Sequence, residues 1–141
     1  MRRIVLLLGL MIVIVALCAT AAFAVTRTGT QGADTLIGTA DPDTLYGLNG
    51  SDTLRGLDNN DYLEAGRGDD LAYGGDGRDR IYGGGGNDIA YGGPGNDLLD
   101  AVDGVQDNDF VQGGPGTNDR CYVDSPDEAG ASCDQVILPP V

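Results

Sequence analysis

From Gly29 to Asp100 the apolar and polar positions recur with a period of nine and no gap. The copies read GTQGADTLI, GTADPDTLY, GLNGSDTLR, GLDNNDYLE, AGRGDDLAY, GGDGRDRIY, GGGGNDIAY and GGPGNDLLD. Position eight is always apolar: Leu36, Leu45, Leu54, Leu63, Ala72, Ile81, Ala90 and Leu99. Ala101 to Asp103 interrupt the frame, after which GVQDNDFVQ at Gly104 to Gln112 supplies Val111. A degenerate copy from Gly113 aligns Asp119 and Cys121 with the repeat if one residue is inserted. One apolar residue per nonamer, flanked by outward-facing neighbours, predicts a very short strand whose middle side chain points inward, followed by a turn over positions one to six. A single such unit buries nothing, so the copies must stack. Two nonamers then make one coil of a parallel solenoid, with copies i and i+2 adjacent at about 4.8 Å. The expected fold is all-β.

The turn positions add chemistry. Position one is Gly except at Ala65, and position four is Gly except at Asp41, Asn59 and Asp107, residue types that tolerate a left-handed backbone. Position six is Asp throughout: Asp34, Asp43, Asp52, Asp61, Asp70, Asp79, Asp88, Asp97 and Asp109. One aliphatic side chain per nonamer is too little burial to order nine residues, so something besides the core must hold the turns. Composition narrows what that is. Of the 22 acidic residues only Glu64 and Glu128 are Glu, the net charge is −14, and the chain has no Lys or His. That excludes Schiff-base and imidazole chemistry and argues against nucleic acid as a partner. Short carboxylates held close to backbone suit oxygen-ligated hard cations.

GGDGRDRIY, GGGGNDIAY and GGPGNDLLD carry the pattern G-G-x-G-x-D-x-U-x with U apolar, and the array resembles the calcium-binding nonapeptide of the RTX, or haemolysin-type, family. The resemblance runs from residue 29 to about 121. It implies a right-handed parallel β-roll with Ca²⁺ as cofactor, each ion lying between the turns of copies i and i+2. The implied ligands are the carboxylates of Asp34, Asp43, Asp52, Asp61, Asp70, Asp79, Asp88 and Asp97. Backbone carbonyls of the turns at Gly74, Gly75, Gly77, Gly83, Gly84, Gly86, Gly92, Gly93 and Gly95 would complete the set. Asp34 would pair with Asp52, Asp52 with Asp70 and Asp70 with Asp88 on one side. Asp43, Asp61, Asp79 and Asp97 would line the other. The first four copies replace the second Gly by Thr30, Thr39, Leu48 and Leu57, and the fifth replaces the first by Ala65, so the N-terminal sites match less well. The insertion after Asp100 is expected to disturb the register and to weaken sites involving Asp109. Asp58 and Asp76, at position three, are expected to face water. An EF-hand fails on spacing, because counting back from Glu64 or Glu128 lands on Thr53 or Thr117 where an Asp is required. A disordered Gly/Asp-rich tract accounts for the composition but not for the phased columns. It is the state expected without calcium.

Three units are expected: a signal peptide at 1–24, the repeat domain at 25–121 and a C-terminal cap at 122–141. Arg2 and Arg3, the apolar run Ile4 to Ala16 and Ala22-Phe23-Ala24 read as an n-region, h-region and cleavage site. A membrane anchor and a lipoprotein at Cys18 are the alternatives. Cleavage after Ala24 removes two Arg and no acid, taking −14 to −16, and leaves a secreted chain with no stable membrane anchor. Family members commonly leave by an uncleaved C-terminal signal, so an N-terminal one points to a different export route. Cys121 and Cys133 are then the only cysteines, and a disulfide closing a short loop at the cap is the default, with free thiols or intermolecular pairing as alternatives. Tyr46, Tyr73, Tyr82 and Tyr91 share position nine and read as cross-strand pairing or as a carbohydrate platform; Thr35, Thr44 and Thr53 at position seven fit a solvated strand face. No G-x-S-x-G or G-x-G-x-x-G motif occurs, and a non-enzymatic chain is expected. A surface scaffold for a protein or glycan partner, or an accessory module of a hydrolase or toxin, are the other functional readings.

Overall fold

The computed structural model describes residues 23–103 and 108–140. Most of the expected signal peptide, with Cys18, and Asp107 lie outside the described residues. Among the described residues all helix and strand structure is strand: β1 (Thr26–Thr28), β2 (Thr35–Ile37), β3 (Thr44–Asn49), β4 (Thr53–Asp58), β5 (Tyr62–Arg67), β6 (Leu71–Asp76), β7 (Arg80–Gly85), β8 (Ile89–Tyr91), β9 (Leu98–Asp100), β10 (Phe110–Gln112), β11 (Arg120–Tyr122), β12 (Glu128–Ala129) and β13 (Gln135–Ile137). No helix among them is long and apolar enough to cross a membrane. The odd-numbered strands form one sheet in the order β1-β3-β5-β7-β9-β11-β13, and the even-numbered strands form the other. Every pairing is parallel and the chain alternates between sheets, which is a solenoid of two-nonamer coils. Leu45 sits opposite Leu63, Leu63 opposite Ile81 and Leu54 opposite Ala72, the offset that the nine-residue period predicts.

The inward column is the core. Leu45, Leu54, Leu63, Ala72, Ile81, Ala90, Leu99, Val111 and Cys121 are all buried between the two sheets. Ala65 and Ala101 are buried too. Leu36 is only partly buried, because the first coil has a neighbour on one side alone.

Strand length departs from the expectation. β3 to β7 each span six residues, because ladder pairing continues past the strand centre into the next turn, with Leu48 opposite Gly66 and Asn49 opposite Arg67. The insertion after Asp100 also behaves differently from what was expected. Ile89 pairs with Phe110 and Leu98 with Arg120, so both sheets keep their register across it. The extra residues are taken up within turns, where the chain can lengthen without displacing a ladder.

β12 pairs with β10 and β13 with β11, adding a shortened last coil. Cys121, fully buried at position eight, is disulfide-bonded to Cys133 with Cα atoms 5.9 Å apart. The covalent link ties the loop between β12 and β13 to the core column. A solenoid end needs such a cap, since its final coil has no neighbour to cover it.

Candidate metal centre

The position-six aspartates form two continuous ladders. Each backbone N–H donates to Oδ1 of the Asp one coil further on: Asp34 to Asp52 (2.7 Å), Asp43 to Asp61 (2.8 Å), Asp52 to Asp70 (2.7 Å), Asp61 to Asp79 (2.8 Å), Asp70 to Asp88 (2.9 Å) and Asp79 to Asp97 (2.8 Å). The backbone carbonyl of the same residue accepts from position seven of the next coil, as in Tyr62 to Asp43 (3.0 Å) and Arg80 to Asp61 (2.9 Å). Asp therefore extends the hydrogen-bond ladder where turn gives way to strand. Its one-methylene stem holds the carboxylate beside the backbone, which explains the near absence of Glu. The pairs expected one coil apart are present, but as carboxylate to main-chain N–H contacts.

The ladders also run past the repeat frame. Asp88 donates to Asp109 (2.7 Å), Asp97 to Asp119 (2.8 Å), Asp109 to Asp127 (3.2 Å) and Asp119 to Oδ2 of Asp134 (2.9 Å). Sequence reasoning omitted Asp119, Asp127 and Asp134 from the ligand set. Asp127 lies one coil length after Asp109 and could have been found by period, whereas Asp134 breaks the period and could not.

The second carboxylate oxygen behaves differently along the roll. In the first copies Thr partners it: Thr30 N–H (2.6 Å) and Oγ1 (2.9 Å) donate to Oδ2 of Asp34, and Thr39 N–H donates to Oδ2 of Asp43. From there on, Oδ2 of Asp52, Asp61, Asp70, Asp79, Asp97 and Asp119 is buried with no hydrogen-bond partner. Leaving a buried anionic oxygen unpaired is costly, so these atoms are candidate contacts for a cation. Beside Asp52, Asp61, Asp79 and Asp97 lies a main-chain carbonyl. A Cβ added to Gly56 would collide with both Asp61 Oδ2 and Gly74 O; one on Gly74 would meet Asp79 Oδ2 and Gly92 O, and one on Gly92 would meet Asp97 Oδ2 and Gly113 O. The missing side chain at position one is what lets carboxylate and carbonyl oxygens from adjacent coils converge. Among the described residues no three acidic, Cys or His side chains cluster as a metal-binding group. A cation here must take most of its oxygens from backbone, which suits Ca²⁺ and its six to eight oxygen ligands.

Burial pushes the carboxyls of Asp61, Asp70 and Asp97 up to about 6 and that of Asp79 to about 7, from 3.8. The donated backbone N–H opposes the rise and neighbouring carboxylates add to it. Asp58 and Asp76 are exposed and stacked in register, as expected of position three.

Position two carries the tightest backbone constraint. Gly66, Gly75, Gly84 and Gly93 have φ between 98° and 115°, and a Cβ on any of them would collide with the carbonyl of Leu48, Leu57, Gly66 or Gly75 one coil earlier. Leu48 (φ 86°) and Leu57 (φ 93°) adopt the same conformation without being Gly. At position four Gly50, Asn59, Gly68, Gly77 and Gly86 are left-handed, whereas Asp41 and Gly95 are not. Gly83, at position one, faces Asp88.

On the outer faces the aromatics pair across strands. Tyr73 stacks on Tyr91 (5.3 Å, 12°), with Arg55 over the Tyr73 ring at 5.1 Å and Phe110 6.1 Å from Tyr91. On the other sheet Tyr62, from position seven, bridges Tyr46 (6.0 Å) and Tyr82 (5.4 Å).

The family model of the RTX calcium-binding nonapeptide repeat (four copies) matches residues 28–63, 55–90 and 64–99, just over half of the chain. No curated protein and no solved structure matches it.

Proposed function

This chain belongs to the RTX calcium-binding nonapeptide repeat family, and from that premise we propose that it is an exported, non-catalytic β-roll that folds as Ca²⁺ binds its turns. The family and the fold imply calcium binding. The observation that carries the finer reading is the row of buried, unpartnered Oδ2 atoms at Asp52, Asp61, Asp70, Asp79 and Asp97. In this reading those carboxylates, with Asp88 and the carbonyls of the glycine-rich turns, hold the ions. Asp34 and Asp43 contribute less, because Thr30 and Thr39 already occupy their second oxygens. Bound calcium would supply the positive charge that two columns of stacked carboxylates lack.

Coupling to folding follows from magnitudes. One buried aliphatic side chain per nonamer contributes roughly 1.5–3 kcal/mol, while backbone ordering costs about 1–2 kcal/mol per residue. The metal-free chain also sets like charges at about 4.8 Å intervals. Extracellular calcium modules bind at about 10⁻⁴–10⁻³ M, so the chain would stay unfolded where calcium is scarce and fold after export through the signal at residues 1–24. Far-UV circular dichroism of residues 25–141 titrated with Ca²⁺ tests this. A β-signal that grows with calcium in that range is expected; one already complete in the metal-stripped chain at pH 8 would sink the coupling.

The carbohydrate reading of Tyr73 and Tyr91 has less support. The two rings cover each other, and Arg55 and Phe110 flank them, so the faces that a sugar would stack on are taken.

A further inference from the structure

The seven-stranded sheet presents a different surface from the aromatic stack on the six-stranded one. A groove of about 340 Å³ runs across its outer face, lined by Arg78, Arg80, Arg120, Tyr82, Asn96 and Asn118 among others. Arg78 and Arg80 also line the adjoining groove beside Tyr62 and Asn60. The chain has eight Arg and no Lys against 22 acids, yet three of those Arg gather here. Among the described residues none of the three is in a carboxylate ion pair. The guanidinium groups of Arg78 and Arg80 have no hydrogen-bond or ion-pair partner among the described residues. Arg120 donates to Tyr122 Oη, but its Nε is buried with no hydrogen-bond partner. Asp97 also lines the groove, but guanidiniums that form no ion pair with it are poised for an anion from elsewhere.

We propose that this groove binds an acidic polysaccharide, a chain of sugar rings carrying carboxylates. Arg80 and Arg120 both pair with Leu98, one from each side, so they stand two strand steps apart, about 9.5 Å. Their backbones thus stand on one line at that spacing, with the Arg120 guanidinium turned over the Tyr122 ring at 5.5 Å, and two cationic side chains so separated suit a polymer with several anions better than a single oxyanion. The Nδ2 groups of Asn96 and Asn118, whose oxygens already accept from Thr117 N–H and Gln135, offer donors for hydroxyls and carboxylates. Glu64 and Asp100 flank Tyr82 on the neighbouring strands, so the ligand's carboxylates are placed at the arginine end of the groove. The site needs only the folded roll.

The test is isothermal titration of the calcium-loaded full chain, in excess Ca²⁺, with a galacturonate hexamer. The controls are a neutral glucan hexamer, poly-glutamate of matched charge and inorganic sulfate. Binding of the acidic hexamer alone is expected, weakened at least tenfold in R78Q/R80Q and partly recovered in R78K/R80K. R55Q, on the opposite sheet, should leave it unchanged. Circular dichroism and calcium stoichiometry on the same samples show whether a variant has lost the roll itself, and the lysine variant keeps the proposal testable if the glutamine variant does. No binding of the acidic hexamer, equal binding of poly-glutamate or sulfate, or an affinity that R78Q/R80Q leaves intact would each overturn the proposal.

Discussion

Each position-six aspartate has two roles divided between its two oxygens. Oδ1 of Asp79 accepts the N–H of Asp61, a structural bond, while Oδ2 is buried and unpartnered, the atom assigned to calcium. Two substitutions separate them. Asp79→Asn keeps an amide oxygen for the Asp61 N–H and removes a buried charge. It should raise the folded fraction of the metal-free chain at pH 8 while lowering calcium stoichiometry by calorimetry. Asp79→Ala removes both functions and strands a buried N–H, at about 1–3 kcal/mol, so it should weaken folding with and without calcium. Equal behaviour of the two variants in the metal-stripped chain would mean that the Oδ1 bond does not matter. The invariance of this column was legible in the sequence, but its hydrogen-bonding role was not. A nine-residue period says which residues stack and says nothing about which carboxylate oxygen meets an N–H.

At the level of the turn, the demand for a left-handed backbone falls most consistently on position two. Leu48 and Leu57 hold that conformation with a side chain attached, and both are substantially exposed, so little burial offsets the strain. A left-handed non-Gly residue costs roughly 1–2 kcal/mol, against about 0.5–1 kcal/mol of extra chain entropy for Gly. Leu57→Gly should therefore stabilise the calcium-loaded roll by about 0.5–1 kcal/mol, read as a higher denaturant midpoint. The reverse change is harsher. A Cβ at Gly84 would combine a φ of 98° with collision against Gly66 O, so Gly84→Ala should lower the midpoint by several times that amount. Position four shares the demand at Gly50, Asn59, Gly68, Gly77 and Gly86 but not at Asp41, so residue type alone does not show which turns are left-handed there. The pairing of β8 with β10 across the insertion was equally hidden, since sequence spacing cannot tell a residue added to a strand from one added to a turn.

For the whole molecule the dominant quantity is charge, and the buried aspartates couple it to pH. In the folded, metal-free chain Asp61, Asp70 and Asp97 titrate near 6 and Asp79 near 7, all above the unfolded value of 3.8. Between about pH 4 and 7 the folded state therefore holds more protons than the unfolded one, and stability falls as pH rises through that window. This is the reverse of ordinary acid denaturation, where carboxylates are paired with cationic groups or hydrogen-bonded donors that lower their pKa. Here protons partly replace the absent cation. The metal-stripped chain should thus gain β-structure as pH is lowered from 8 to 5, with no further gain from these groups below about pH 4. Calcium reverses the dependence, because binding must displace the same protons. Apparent calcium affinity should rise from pH 5 to 8, and calorimetry in buffers of different ionisation enthalpy should register proton release near pH 6. A metal-free β-signal that stays flat or grows between pH 5 and 8 would show that the second carboxylate oxygens are already neutralised by some other partner. The two ladders would then be a hydrogen-bond device and not a row of calcium sites.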